Sequence, residues 1–91
     1  MNYRFQVQVY GKVQGVWYRK STQVEALKLG LTGWVKNEPD GSVIMAFEGP
    51  FESCLALITW AHHGPEHARV DRIQLDQVEP KGGSGFEIVR Y

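Results

Sequence analysis

Apolar and polar residues alternate from the start of the chain. Tyr3, Phe5, Val7 and Val9 fall on one face, and Arg4, Gln6 and Gln8 on the other. A period of two predicts a half-buried strand over residues 3–9. Over 19–29 the period becomes helical, with Thr22, Ala26 and Leu29 on one side and Val24 and Leu27 nearby. Gly30 is suited to end that helix in a left-handed turn. Thr22-Gln23-Val24-Glu25 also fits a capping box, which would begin the helix a turn later. Residues 31–36 and 42–48, with their Val, Ile, Trp and Phe, predict two strands joined by Asn37-Glu38-Pro39-Asp40-Gly41. Proline presets φ, Asp bonds locally and glycine accepts positive φ, so this is a β-hairpin. A second helix follows, with Phe51, Cys54, Leu55, Ile58 and Ala61 at i, i+3, i+4, i+7 and i+10. Gly64-Pro65 closes it. Residues 69–78 read as a strand with Ile73 and Leu75 on one face. Beyond the flexible Lys81-Gly82-Gly83-Ser84-Gly85, Phe86 and Ile88 mark a short last strand.

The sum is β-α-β-β-α-β with a short fifth strand. It predicts an α+β, ferredoxin-like sandwich in which two helices pack on one face of a mainly antiparallel sheet. Such a fold hosts many unrelated activities. The 91 residues suffice for a single domain, residues 1–91. Lys+Arg and Asp+Glu each total 10, so no long-range field draws the chain to nucleic acid, and no nucleic-acid partner is expected. No apolar run approaches a membrane span, and the first residues lack the apolar core of a secretion signal. Cys54 is the only cysteine, which rules out a disulfide within the chain and makes the cytoplasm the expected location. It lies on the apolar stripe of the second helix and reads as buried filler. His62, His63 and His67 complete no recognised ligand spacing, so neither metal nor cofactor is expected.

Chemistry concentrates in Tyr10-Gly11-Lys12-Val13-Gln14-Gly15-Val16-Trp17-Tyr18-Arg19. Gly11 and Gly15 flank a turn from strand to helix. Glycine permits the φ > 0 steps that aim successive N–H groups into one hollow, a nest for anions. The following helix adds its positive end. Arg19 adds a permanent charge with a planar fork suited to phosphate oxygens. Spacing alone leaves a second reading open, a tight connection beside a surface arginine. Asn37 alone reads as a turn residue. If the first two strands lie in one sheet, it could share an edge with the glycine loop, accepting from a water and donating to a phosphoryl oxygen.

The block G-K-V-Q-G-V-x-Y-R, followed by A-x-x-L-G-L-x-G-W-V-x-N-x-x-D-G-S-V, resembles the acylphosphatase family. Gly64-Pro65, Ala68-Arg69-Val70 and Gly85-Phe86-x-Ile88-Val89 extend the resemblance to nearly the whole chain. It implies metal-independent hydrolysis of the carboxyl-phosphate bond of acyl phosphates. The phosphoryl group would rest on backbone amides of Gln14, Gly15, Val16, Trp17, Tyr18 and Arg19. Arg19 would bind phosphate and Asn37 would position the attacking water. Inorganic phosphate or sulfate would then compete, with the protein acting as a monomer. The competing expectation is a non-catalytic phosphate-binding or partner-binding module. Two positions depart from the family. Tyr18 stands where phenylalanine is usual, adding a hydroxyl to a core ring. Trp17 stands where a small residue is common; it is read first as packing outside the loop, and otherwise as a wall on the acyl side.

Overall fold

The computed structural model describes residues 1–90. Its elements are β1 (Tyr3–Lys12), α1 (Tyr18–Lys28), β2 (Thr32–Asn37), β3 (Val43–Gly49), α2 (Phe51–Ala61), β4 (Arg69–Val78) and β5 (Phe86–Val89). They form one sheet in the order β4-β1-β3-β2-β5. All neighbours are antiparallel except β2 and β5, which run parallel. This is the ferredoxin-like arrangement that the alternating periods predict.

Register follows from the alternation. Phe5 faces Phe47, Val7 faces Met45 and Val9 faces Val43. These six, with Val35 of β2, lie almost wholly buried beneath the helices. Each such side chain removed from water contributes about 1.5–3 kcal/mol, so a slip of one residue would be heavily penalised.

The helix ends show which local signals prevailed. α1 begins at Tyr18, so the capping box does not start it. The buried Thr22 hydroxyl instead donates backwards to the Tyr18 carbonyl at 2.8 Å. At the other end Gly30 takes φ 73°. There the Leu31 N–H reaches the Ala26 carbonyl at 2.9 Å and the Gly30 N–H reaches that of Leu27 at 3.1 Å. That pair of bonds is a Schellman stop.

α2 buries only part of the expected stripe, with Leu57 added to it. Cys54, Leu57, Ile58 and Ala61 face the sheet, whereas Phe51 and Leu55 are 46% and 45% exposed. The helix is apolar nearly all round, so its spacing admits two stripes, and packing over β1 and β3 selects the one holding Leu57. Phe51 still rests edge-on against Tyr3, with ring centroids 5.2 Å apart. Neither helix touches β4 among the described residues, which leaves Leu75 exposed and Ile73 only half-buried.

On the opposite face a charge is buried. Glu48 accepts from the Arg4 guanidinium at 3.2 Å and from the Lys81 and Gly82 N–H groups at 2.8 and 2.9 Å. It thereby ties the connection before β5 to β1 and β3.

Candidate active site

Between β1 and α1 the chain alternates anchored and open residues. Val13, Val16 and Tyr18 are buried, while Gly15 and Trp17 point outward. Buried anchors this close together force the backbone through left-handed steps. Gly15 has φ 74°, and Trp17 has φ 67° and ψ 20°. The second step is unusual, because a left-handed conformation costs a non-glycine residue on the order of 1–3 kcal/mol. Among the described residues, no backbone carbonyl accepts from the N–H groups of residues 14–19, and no side chain caps the start of α1. The loop is therefore a row of open donors at the positive end of a helix, which is what an oxyanion requires.

This loop opens into a cavity of about 810 Å³ that also takes in Arg19, Asn37, Phe86 and Ile88. The half-buried Arg19 guanidinium has no hydrogen-bond or ion-pair partner among the described residues. Asn37, the last residue of β2, carries the one buried side-chain polar atom without a partner among the described residues, its Oδ1. A buried acceptor left unpaired costs about 1–3 kcal/mol, which a structure retains where a ligand or water satisfies the atom.

The side chain of Gln14 joins loop and hairpin. Its Nε2 donates to the Glu38 carbonyl at 2.8 Å and to the Ser42 carbonyl at 2.9 Å. The hairpin turn is itself tightened by Asp40, whose carboxylate accepts from the Ser42 hydroxyl at 2.6 Å and N–H at 2.9 Å. The Ser42 hydroxyl bond, with the N–H beside it, holds the Asp40 carboxyl below the usual carboxylate range. Gln14 and Val16 do not line the cavity, whereas Gly15, Trp17, Tyr18 and Arg19 of the same loop do.

Tyr18 secures the loop from behind. Its hydroxyl donates to the Ala61 carbonyl at 2.7 Å, and its ring meets that of Trp60 at 5.4 Å. Burial pushes the phenol well above its ordinary value, so it remains a donor. Trp17 corrects the first expectation for its ring: at 77% exposed it is not packed outside the loop but stands in the cavity wall.

Sequence reasoning missed the Gln14 clamp, although an amide with two donors between glycine-loop anchors hinted at one. It also missed the wall supplied by Phe86, whose carbonyl accepts from Gln23 Nε2 at 2.9 Å. Nothing local reveals that β5 pairs with β2. The histidines stand apart from the cavity. His62 Nδ1 donates to the Ile58 carbonyl at 2.9 Å, and among the described residues no three His, Cys, Asp or Glu side chains gather as ligands would. Among the described residues no helix is long and apolar enough to cross a membrane.

Fold and cavity define a ferredoxin-like domain with a loop-and-guanidinium oxyanion cradle beside an unpaired amide oxygen. The acylphosphatase family model matches residues 5–88. An acylphosphatase of Thermococcus kodakarensis is 50% identical over 86 residues, 94% of each chain. One of Geobacter sulfurreducens is 45% identical over the full length of both chains. The crystal structure of acylphosphatase from Bacillus subtilis superposes with a TM-score of 0.94 at 34% identity, covering 99% of this chain and 100% of that one. The chain belongs to the acylphosphatase family.

Proposed function

We propose that this protein hydrolyses acyl phosphates to a carboxylate and inorganic phosphate, with the phosphoryl group on the 14–19 loop amides and Arg19. A water held by Asn37 attacks phosphorus opposite the acyl oxygen. The P–O bond to the acyl group breaks and its electron pair leaves on the carboxylate. A carboxylate with a solution pKa of about 4 departs without a proton from the protein. The water's proton passes to a phosphoryl oxygen, so no strong base is required. Phosphoryl transfer proceeds through a loose transition state with charge spread over the equatorial oxygens. Arg19 and the open amides are fixed donors for that charge, the role metal ions fill in other phosphoryl-transfer sites.

The observation that carries the reading is the Asn37 Oδ1, orphaned among the described residues, within the same cavity as an Arg19 that none of them pairs. A site built only to sense an oxyanion would present donors, since a buried carbonyl oxygen opposes negative charge. An acceptor there suits a water, with Asn37 Nδ2 free to donate to a phosphoryl oxygen. This favours hydrolysis over a non-catalytic anion-binding module.

The experiment is phosphate release from acetyl phosphate, with chelator present, measured against the spontaneous rate. Wild type should exceed that rate, and inorganic phosphate should inhibit competitively. Arg19→Gln and Asn37→Ala should each lower kcat by about 10²–10³. Arg19→Gln should also weaken phosphate inhibition, whereas Asn37→Ala should leave it in place. Full activity in Asn37→Ala would remove the water-positioning role, and a silent wild type would leave the binding module.

A further inference from the structure

Resting on that hydrolytic reading, we infer that the cavity beyond the phosphate loop is an acyl subsite for aromatic acyl groups, with the Trp17 indole as its stacking face. The dimensions argue first. At about 810 Å³ the cavity lies within the range, about 300–1,000 Å³, of pockets that take whole drug-sized ligands. A phosphoryl group with an acetyl tail would leave most of it empty.

The lining argues second. The apolar part of the lining comes from Val13, Phe86, Ile88 and the Trp17 ring. Phe86 is itself 4% exposed and fixed by the carbonyl bond from Gln23, so this wall is rigid. Charge enters the lining through the exposed Lys20, Glu87 and Arg90. Apolar side chains beside a small number of fixed donors suit a flat hydrophobic body tethered by its anionic end.

Trp17 itself argues third. The residue combines a left-handed backbone (φ 67°) with a ring 77% exposed, both unfavourable for a tryptophan without a ligand. Glycine would take that backbone freely, so the ring contributes nothing to forming the turn. An aromatic acyl group bound through Gly15 and Arg19 would cover the exposed indole in offset or edge-on contact. Trp17 is therefore assigned as the residue that sets acyl specificity.

The test compares kcat/KM for benzoyl phosphate with that for acetyl phosphate in wild type, Trp17→Phe, Trp17→Leu and Trp17→Gly. The ratio cancels any general disturbance of the loop, because both substrates share the phosphoryl end. Trp17→Leu keeps a Cβ at the left-handed position and loses the ring, whereas Trp17→Gly loses both. The expected result is a benzoyl-to-acetyl ratio lowered about tenfold in the Leu and Gly variants and retained within about threefold in Phe. Equal losses on both substrates, or a ratio indifferent to the ring, would overturn the subsite while leaving the hydrolase intact. A wild type that splits neither substrate would overturn the hydrolytic reading and the subsite with it.

Discussion

At Tyr18 one hydroxyl joins the start of α1 to the end of α2. Its bond to the Ala61 carbonyl is short, at 2.7 Å, and wholly buried. Tyr18→Phe leaves that carbonyl without the donor, and about 1 kcal/mol of stability should disappear from urea unfolding. Gly64 abuts the same ring. A Cβ there would lie 2.6 Å from Tyr18 Cε2, and the backbone sits at φ 68°. Gly64→Ala should therefore cost about 3 kcal/mol, combining the left-handed penalty with overpacking. Gly64-Pro65 was legible as a helix stop from local chemistry, and Tyr18 as a core ring from the family resemblance. That the stop also makes room for the ring needs the two helices in space. Trp17 is the opposite case. Its type predicts burial, and the φ of 67° imposed by the flanking anchors Val16 and Tyr18 sends the ring outward instead.

Between elements, the decisive contact is Gln14 on the hairpin. One side-chain nitrogen spans the Glu38 and Ser42 carbonyls, so the loop that carries the open amides cannot drift from the strand end that carries Asn37. Catalysis by positioning is sensitive to this distance, since a displacement of about 1 Å can cost a hundredfold in rate. Gln14→Leu keeps the bulk and removes both donors. Its kcat should fall by at least about tenfold while competitive inhibition by phosphate changes less, because the cradle survives and its alignment with Asn37 does not. Equal losses in both would mean that Gln14 only shapes the cradle. Elements of this kind were unevenly legible. Alternation located β1, and the Val, Ile, Trp and Phe content around Pro39-Asp40-Gly41 located β2, β3 and their hairpin, because side-chain period, strand propensity and turn chemistry are local. The buried stripe of α2 was legible at Cys54, Ile58 and Ala61 but not at Leu57, since Leu55 and Leu57 are equally apolar and only the sheet beneath distinguishes them. The pairing of β5 with β2 likewise depends on chain crossing, which no local pattern encodes.

Across the whole molecule, the buried pair on the far face governs how firmly β5 is held. The Glu48 carboxylate gathers Arg4 and the Lys81 and Gly82 amides, and the connection they anchor leads into Phe86 and Ile88 of the cavity wall. Chiefly the Lys81 N–H bond, with the Gly82 N–H and Arg4 beside it, holds this carboxyl below its ordinary value against the pull of burial. A carboxyl with a depressed folded pKa stabilises the fold above its unfolded pKa, about 4.3, and that contribution fades as pH falls through the folded value. The urea midpoint of wild type should thus stay flat from about pH 8 to 6 and drop in acid. Glu48→Gln should have a lower midpoint at neutral pH, because Arg4 remains buried without its counter-ion. It should also fall less steeply in acid, so that the two curves converge. Asp40 and Asp71 are likewise held low, but both are exposed. Asp40→Asn and Asp71→Asn therefore serve as controls in which the acid drop survives. Parallel curves for wild type and Glu48→Gln would mean that the amides grip a neutral side chain equally well, and that ionisation of Glu48 is not what fastens β5 to the sheet.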